Sequence, residues 1–313
     1  MFLEIILLLL GISLCIVLGA NNASACFGAT FGGGFIKYSR AAGIAVLGVV
    51  SGTVIEGFKL SKTVSGEILN FFGVETVLAI IVSSFLVMVI ATIFRLPMSL
   101  SEGVIGSAVG AGLGFGFNVN WNFLGFILLS WVIAPFLSAA LSILIYKWIS
   151  TVSLHVKNVF TLNYFYGKAA LVLSFYLAYV LGANTVGLVN GIFNVFPGNL
   201  FLGALIFSSS TAFGMYFLSR RVTETVSGGI TGLGVSTALS VQLSSAVTIH
   251  LLTQFSVPVS ITQALIGGIF GVCLAKKIVF MRRKAVKSIL VGWTVAPLIG
   301  MLIALGLASI LKP

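Results

Sequence analysis

Two short stretches of this sequence combine residues that disfavour helix with side chains that hydrogen-bond, and each stretch occurs twice. The first is Gly19-Ala20-Asn21-Asn22-Ala23-Ser24-Ala25-Cys26-Phe27-Gly28, matched by Gly182-Ala183-Asn184-Thr185-Val186-Gly187-Leu188-Val189-Asn190-Gly191. Glycine and asparagine are poor helix formers, and an amide placed in lipid demands a partner. An unwound helix here would free backbone N–H groups and amides for a polar ligand. The second is Pro97-Met98-Ser99-Leu100-Ser101-Glu102-Gly103, matched by Pro258-Val259-Ser260-Ile261-Thr262-Gln263-Ala264. Proline followed by Ser and Thr marks a helix start. A helix start inside a membrane offers unpaired N–H groups and the positive end of its dipole to an anion. Two of them facing across a twofold axis would cradle one tetrahedral oxyanion. Plainer readings stand beside this one: small residues for close helix packing, and hydroxyls that cap only their own helices. The chemistry is binding rather than bond-making, since no His/Glu metal cluster and no Ser/His/Asp set accompanies these stretches, so no enzyme is expected.

The elements that must position these residues are membrane helices. Hydrophobic residues make up 59% of the 313 positions and charged residues 7%, with a mean hydropathy of +1.19. Such a chain cannot cover a water-facing surface. Apolar runs about long enough to span the hydrocarbon core recur throughout, and lipid leaves helix as the natural form. The net charge of +11 does not argue for nucleic acid, because most basic residues sit in short loops between apolar runs, as cytoplasmic loops do. Cys15, Cys26 and Cys273 show no metal-ligand spacing and read as packing residues. Residues 2–18 could pass for a signal peptide, but no Lys or Arg precedes the apolar stretch. The segment therefore reads as structure.

The chain also repeats itself. Leu18-Gly19-Ala20-Asn21, Thr63-Val64-Ser65-Gly66, Pro97, and the pair Trp131 and Pro135 recur in order about 162 positions on. They return as Leu181-Gly182-Ala183-Asn184, Thr225-Val226-Ser227-Gly228, Pro258, and Trp293 with Pro297. The loops that do not match set the orientation. Lys276, Lys277, Arg282, Arg283, Lys284 and Lys287 crowd one loop whose counterpart at 114–125 has no basic residue, while Lys37 and Arg40 face an uncharged stretch at 199–202. Equivalent loops then lie on opposite sides. Lys59 with Lys62 and Arg220 with Arg221 do not follow this rule. The expected fold is all-α and integral to the membrane, with two inverted-topology repeats of about five spans each and interrupted helices at a midplane anion site. The spans are 2–36, 42–58, 74–94, 96–113 and 121–146, then the same again from 168. The boundaries are 1–150 for the first repeat, 151–167 for a cytoplasmic linker and 168–313 for the second repeat, with both termini external. Whether 96–113 and 258–275 cross or re-enter stays open, and a homo-oligomer is compatible with the pattern.

These paired motifs resemble the inorganic phosphate transporter family, whose signature G-A-N-D-V-A-N-A, followed downstream by P-x-S-T-T-H-A, occurs once per inverted repeat. The resemblance spans nearly the whole chain. Carried over by position, it implies an oxyanion site of Asn21, Asn22, Ser99 and Ser101 from the first repeat and Asn184, Thr185, Ser260 and Thr262 from the second. The departures carry information. The signature Asp is Asn22 and Thr185, the second Asn is Ala25 and Leu188, the His is Glu102 and Gln263, and the chain contains no Asp. In the phosphate carriers those Asp and Asn positions are associated with sodium and substrate, so sodium coupling is in doubt here. Phosphate at neutral pH carries a P–OH donor best met by a carboxylate, whereas sulfate only accepts. A site of amides, hydroxyls and N–H groups suits sulfate, and the sequence looks like the sulfate-permease branch, in which a stretch such as Gly32-Gly33-Gly34 precedes a basic loop.

The sequence therefore reads as a secondary transporter in the cytoplasmic membrane that imports sulfate or a related oxyanion, with a phosphate transporter as the alternative and an anion channel as the alternative of another class. No cofactor or metal is expected. Uphill entry of a dianion into a negative interior needs a co-ion, taken to be a proton. Glu102 is the carrier suggested by position, against a structural partnership with Arg95. Glu56, Glu67 and Glu75 read as solvated loop-border residues, and His250 as a packing residue.

Overall fold

The computed structural model describes residues 2–34, 36–69, 73–94, 99–195, 200–224, 234–278 and 283–312. The first half runs through α1 (Phe2–Gly32), α2 (Tyr38–Glu56), the short α3 (Phe58–Lys62) with a π-helical turn at Thr63–Ile68, α4 (Val74–Phe94), α5 (Leu100–Phe115) and α6 (Trp121–Leu154). The second half begins with α7 (Val159–Leu181), which widens into a π-helical turn over Gly182–Val186 and continues as α8 (Gly187–Ile192). It goes on through α9 (Leu200–Phe213), which ends in a π-helical turn at Gly214–Leu218, then α10 (Val235–Gln254), α11 (Ile261–Lys276) and α12 (Arg283–Leu311). Among the described residues, eight helical segments are long and apolar enough to cross a membrane. Large side chains such as Phe136 and Leu302 stand exposed on them, a surface suited to hydrocarbon rather than water.

Each half thus supplies the five apolar helices expected. The two that carry the repeated Ser/Thr starts are shorter than the rest. At 16 residues each, α5 and α11 rise about 24 Å, less than the roughly 30 Å of a hydrocarbon core.

The halves interlock through matched close approaches of backbone to backbone. A β-carbon added at Gly106 of α5 would lie 2.0 Å from the Pro297 carbonyl oxygen of α12, and one at Gly267 of α11 would lie 2.1 Å from that of Pro135 in α6. The pairs occupy corresponding positions in the two repeats. The same holds at the other end, where Gly19 meets the Thr211 carbonyl at 2.0 Å and Gly182 meets that of Val49 at 2.2 Å. Each half therefore packs its short helix against the last helix of the other half, and its first helix against the other's second, as a pseudo-twofold axis requires. Trp131 adds a clasp by donating from Nε1 to the Pro258 carbonyl at 2.7 Å. The counterpart pair is Trp293 and Pro97, and Pro97 lies outside the described residues, as do Arg95 and the Thr225–Gly228 copy.

Two expectations need correction. The first Gly/Asn stretch does not interrupt its helix: α1 runs unbroken from Phe2 to Gly32. Lipid and packed neighbours offer the backbone no other hydrogen-bond partners, and this outweighs the low propensities of Gly19, Asn21 and Asn22. Only the second copy departs from α geometry, as the π turn at Gly182–Val186. The breaks common to both halves lie instead before α5 and α11. Of the stretch 151–167 read as a linker, only 155–158 stands between helices, where Asn158 accepts from Phe160 N at 2.9 Å to start α7.

The glycine contacts set a first prediction. Gly267→Ala should cost about 1–3 kcal/mol through overpacking, read as a lower unfolding temperature in detergent, and Gly106→Ala should match it. Gly125→Ala, at a glycine with nothing within 4 Å of an added β-carbon, is the control and should leave the temperature unchanged.

Candidate oxyanion site at the helix starts

Ser99 and Ser260 are the first residues outside α5 and α11, both in extended conformation with φ −108° and −87°. They then diverge. Ser260 caps its own helix, accepting from Gln263 N at 3.3 Å and pairing with the Thr262 hydroxyl at 2.7 Å. Ser99 makes no side-chain cap, so its hydroxyl is not spent on α5. The plain capping reading thus fits one copy and not the other.

Between the two starts lies a contact across the repeats. Gln263 Nε2 donates to Glu102 Oε1 at 2.7 Å, and the two residues hold the same position in their motifs. Both are buried. The Ser99 backbone amide interacts with the same carboxyl. Glu102 Oε2 and Gln263 Oε1 have no hydrogen-bond partner among the described residues. A buried carboxyl oxygen without a partner is costly, which marks this spot as one that a donor-bearing ligand would relieve. One residue earlier, the Ser101 hydroxyl lies 3.4 Å from that of Thr185, so the start of α5 touches the π turn of the second repeat. Thr185 is buried, as are Ser101 and Ser260.

Asn184 has a different part. Its amide nitrogen donates to Thr253 Oγ1 at 2.9 Å and to the Val257 carbonyl at 3.0 Å, while its oxygen accepts from Val259 N at 3.1 Å. Both N–H groups are committed, which leaves none for an anion. The side chain instead fixes the segment that leads into α11. Asn21 and Asn22 lie half-buried on the unbroken α1, where Asn22 Nδ2 donates back to the Leu18 carbonyl at 3.2 Å. Neither makes a side-chain hydrogen bond to α5 or α11. The structure therefore gathers Ser99, Ser101, Glu102, Thr185, Ser260, Thr262 and Gln263 around the two helix starts, with Asn184 bracing the segment before α11, while Asn21 and Asn22 make no hydrogen bond to this group.

Gln263 is a member that the residue-by-residue reading did not assign to the site, although its position opposite Glu102 in the repeat was visible. A second omission is the set Glu56, His250, Tyr176, Lys59 and Gln254, which pair across α2, α3, α7 and α10. Glu56 and His250 are neither free loop-border nor simple packing residues. No group of three or more His, Cys, Asp or Glu residues that could hold a metal occurs among the described residues. An apolar cleft of about 910 Å³ opens between α5, α6, α11 and α12, lined by Trp131, Phe136, Phe270 and Trp293 among others. Its lining is almost wholly apolar, with Gln263, Trp293 and Thr294 its few polar members.

Comparison with known proteins decides the family: residues 18–304 match the model described as "Phosphate transporter family". The chain belongs to that family. The chain is 33% identical over 297 residues to "Putative phosphate permease MJ0630" of Methanocaldococcus jannaschii, covering 95% of this chain and 94% of that one. It is also 28% identical over 318 residues to "Sulfate permease CysP" of Bacillus subtilis, covering 98% and 88%. Among solved structures, "The sodium-dependent phosphate transporter" superposes with a TM-score of 0.87 at 23% identity and 99% coverage of both chains. That likeness shows the fold. As a member of the phosphate transporter family, the chain is a multi-pass membrane protein and a secondary transporter of anions, not an enzyme.

Proposed function

We propose that this transporter carries inorganic phosphate, held between the starts of α5 and α11, inward across the cytoplasmic membrane together with protons. This reverses the preference for sulfate drawn from the missing Asp residues. The observation that carries it is Glu102, a buried carboxyl with one oxygen unpartnered at the start of α5. The signature Asp is absent, but a carboxylate is present in the second motif, and a P–OH group is the donor it lacks. Sulfate at neutral pH has no such proton to offer the carboxyl. The family description and the 33% identical relative's name point the same way. Ser99, Ser101, Thr185 and the α5 backbone N–H groups supply donors for the remaining oxygens.

Sulfate is the second reading, favoured by the polar, Asp-free first motifs and by the similarity to a sulfate permease over 98% of this chain. Proton coupling rests on the missing Asp positions, which weaken a sodium site. External termini follow from the loop charges. Purified protein in liposomes tests the proposal. An inward proton gradient without sodium should accumulate labelled phosphate above its external concentration, and tenfold sulfate should compete poorly. Accumulation that needs sodium would contradict the coupling. Uptake that never exceeds equilibration would indicate a channel, and preferential uptake of sulfate would favour the second reading.

A further inference from the structure

Away from the helix starts, a second polar cluster joins the two repeats. Glu56 ends α2, and its Oε2 accepts from His250 Nε2 at 3.2 Å and from Gln254 Nε2 at 3.0 Å, both on α10. Lys59 of α3 stands 3.4 Å from the same oxygen and donates to Gln254 Oε1. Tyr176 of α7 pairs through its hydroxyl with His250 Nδ1 at 2.8 Å, and Tyr179 hydrogen-bonds Glu56. These are the charged and titratable groups facing the pair among the described residues: Lys59 from α3, Tyr176 and Tyr179 from α7. The His250 and Glu56 side chains are 28% and 18% exposed, so neither is sealed inside the packed core.

The cluster exists once. At the corresponding positions of the other half, Leu218 stands for Glu56, Val89 for His250 and Ile16 for Tyr179. The oxyanion motifs are duplicated, and this cluster is not. In an inverted pair of repeats, corresponding sets of helices lie toward opposite sides of the membrane. A titratable group found in one set acts on one side of the membrane only.

We propose that Glu56 and His250 form a proton-binding site, separate from the oxyanion site, that clasps α2 and α3 to α10 and loads as the anion site fills. It deepens the proton coupling proposed above and rests on that reading of the chain as a proton-linked carrier. The hydrogen bonds suit both protonation states. With His250 neutral, Nε2–H donates to Glu56 and the Tyr176 hydroxyl donates to Nδ1. With His250 charged, Nδ1–H donates to the Tyr176 oxygen, which needs only a rotation of the hydroxyl. The added charge strengthens the pairing with Glu56 and so tightens the hold of α2 on α10. The connection to the anion is short. His250 and Gln254 lie on the last turn of α10 beside Thr253, which accepts from Asn184, and Asn184 fixes the segment entering α11. A proton at His250 therefore steadies the scaffold of one helix start, and by linkage an anion there favours the proton.

Only two histidines occur in the chain, His155 and His250, so histidine-selective ¹⁵N labelling in nanodiscs reads the site directly. His155, bonded to the Thr151 carbonyl at the end of α6, serves as internal reference. Saturating phosphate should raise the proton affinity of His250 about threefold, read as a displacement of its ring-nitrogen signals along the pH axis by roughly 0.5 unit. His155 should not respond. Glu56→Gln should abolish the phosphate-linked shift, and Tyr176→Phe should reduce it if the first variant does not fold. A His250 that keeps one protonation state throughout, or a midpoint indifferent to phosphate that is bound, overturns the proposal. If phosphate does not bind the wild type, the substrate assignment fails instead, and the same two results with sulfate decide this one.

Discussion

Asn184→Ala is expected to destabilise the transporter by about 3 kcal/mol or more, because each buried group left unpaired costs roughly 1–3 kcal/mol. The substitution strips the Val259 N–H, the Val257 carbonyl and the Thr253 hydroxyl of a common partner, at a position with no solvent exposure. A water in the space left by the amide cannot reproduce all three of its bonds in the same geometry. Asn184→Asp should be nearly as harmful, since a carboxylate keeps the contact with Val259 N–H and turns the Val257 carbonyl into a repelling neighbour. Thermal unfolding without any anion checks this. A variant as stable as wild type whose oxyanion affinity alone has fallen would mean that Asn184 is a ligand after all.

Glu102→Gln is the second large effect. The wild-type carboxyl has a spare oxygen for a P–OH proton, and hydrogen bonds to charged groups are worth about 1.5–3 kcal/mol. Phosphate affinity should fall by roughly 10- to 100-fold, while sulfate, which has no proton to give the carboxyl, should bind about as well as before. The quantity to follow is the ratio of the two dissociation constants at one fixed pH, because phosphate changes its own charge near neutrality. The Gln263 contact persists in kind, as an amide oxygen at position 102 still accepts from Gln263 Nε2. A ratio that the substitution leaves unchanged would remove Glu102 from the site and return the choice of substrate to the Asp-free first motifs.

How much of this was legible beforehand follows from what each residue does. The duplication could be read because its landmarks are packing devices that both halves need. Gly19 and Gly182 let backbones touch, as do Pro135 and Pro297 with their glycine partners, and Trp131 clasps the start of α11. Residue types under such steric demands stay recognisable in both copies. The helix starts were legible for a similar reason, since proline and hydroxyl residues announce them locally. The role of Asn184 was not, because its partners lie about 70 positions on and nothing local shows that its donors are spent. The unbroken α1 was missed because propensity alone was weighed at Gly19 and Asn21, where lipid and packing decide. Glu56 and His250 are separated by nearly two hundred positions and pair only through the crossing of α2 and α10. The preference for sulfate counted the missing Asp residues and gave Glu102 to proton coupling alone, since its buried free oxygen becomes visible only in three dimensions.

Diffraction from the protein crystallised with arsenate, an isostere of phosphate with an anomalous scatterer at its centre, tests the location of the site most directly. The arsenic peak is expected between the starts of α5 and α11, within hydrogen-bonding distance of the Ser101 and Thr185 hydroxyls and with an oxygen on Glu102. A peak beside Asn21 and Asn22 on α1, with none at the helix starts, would contradict it.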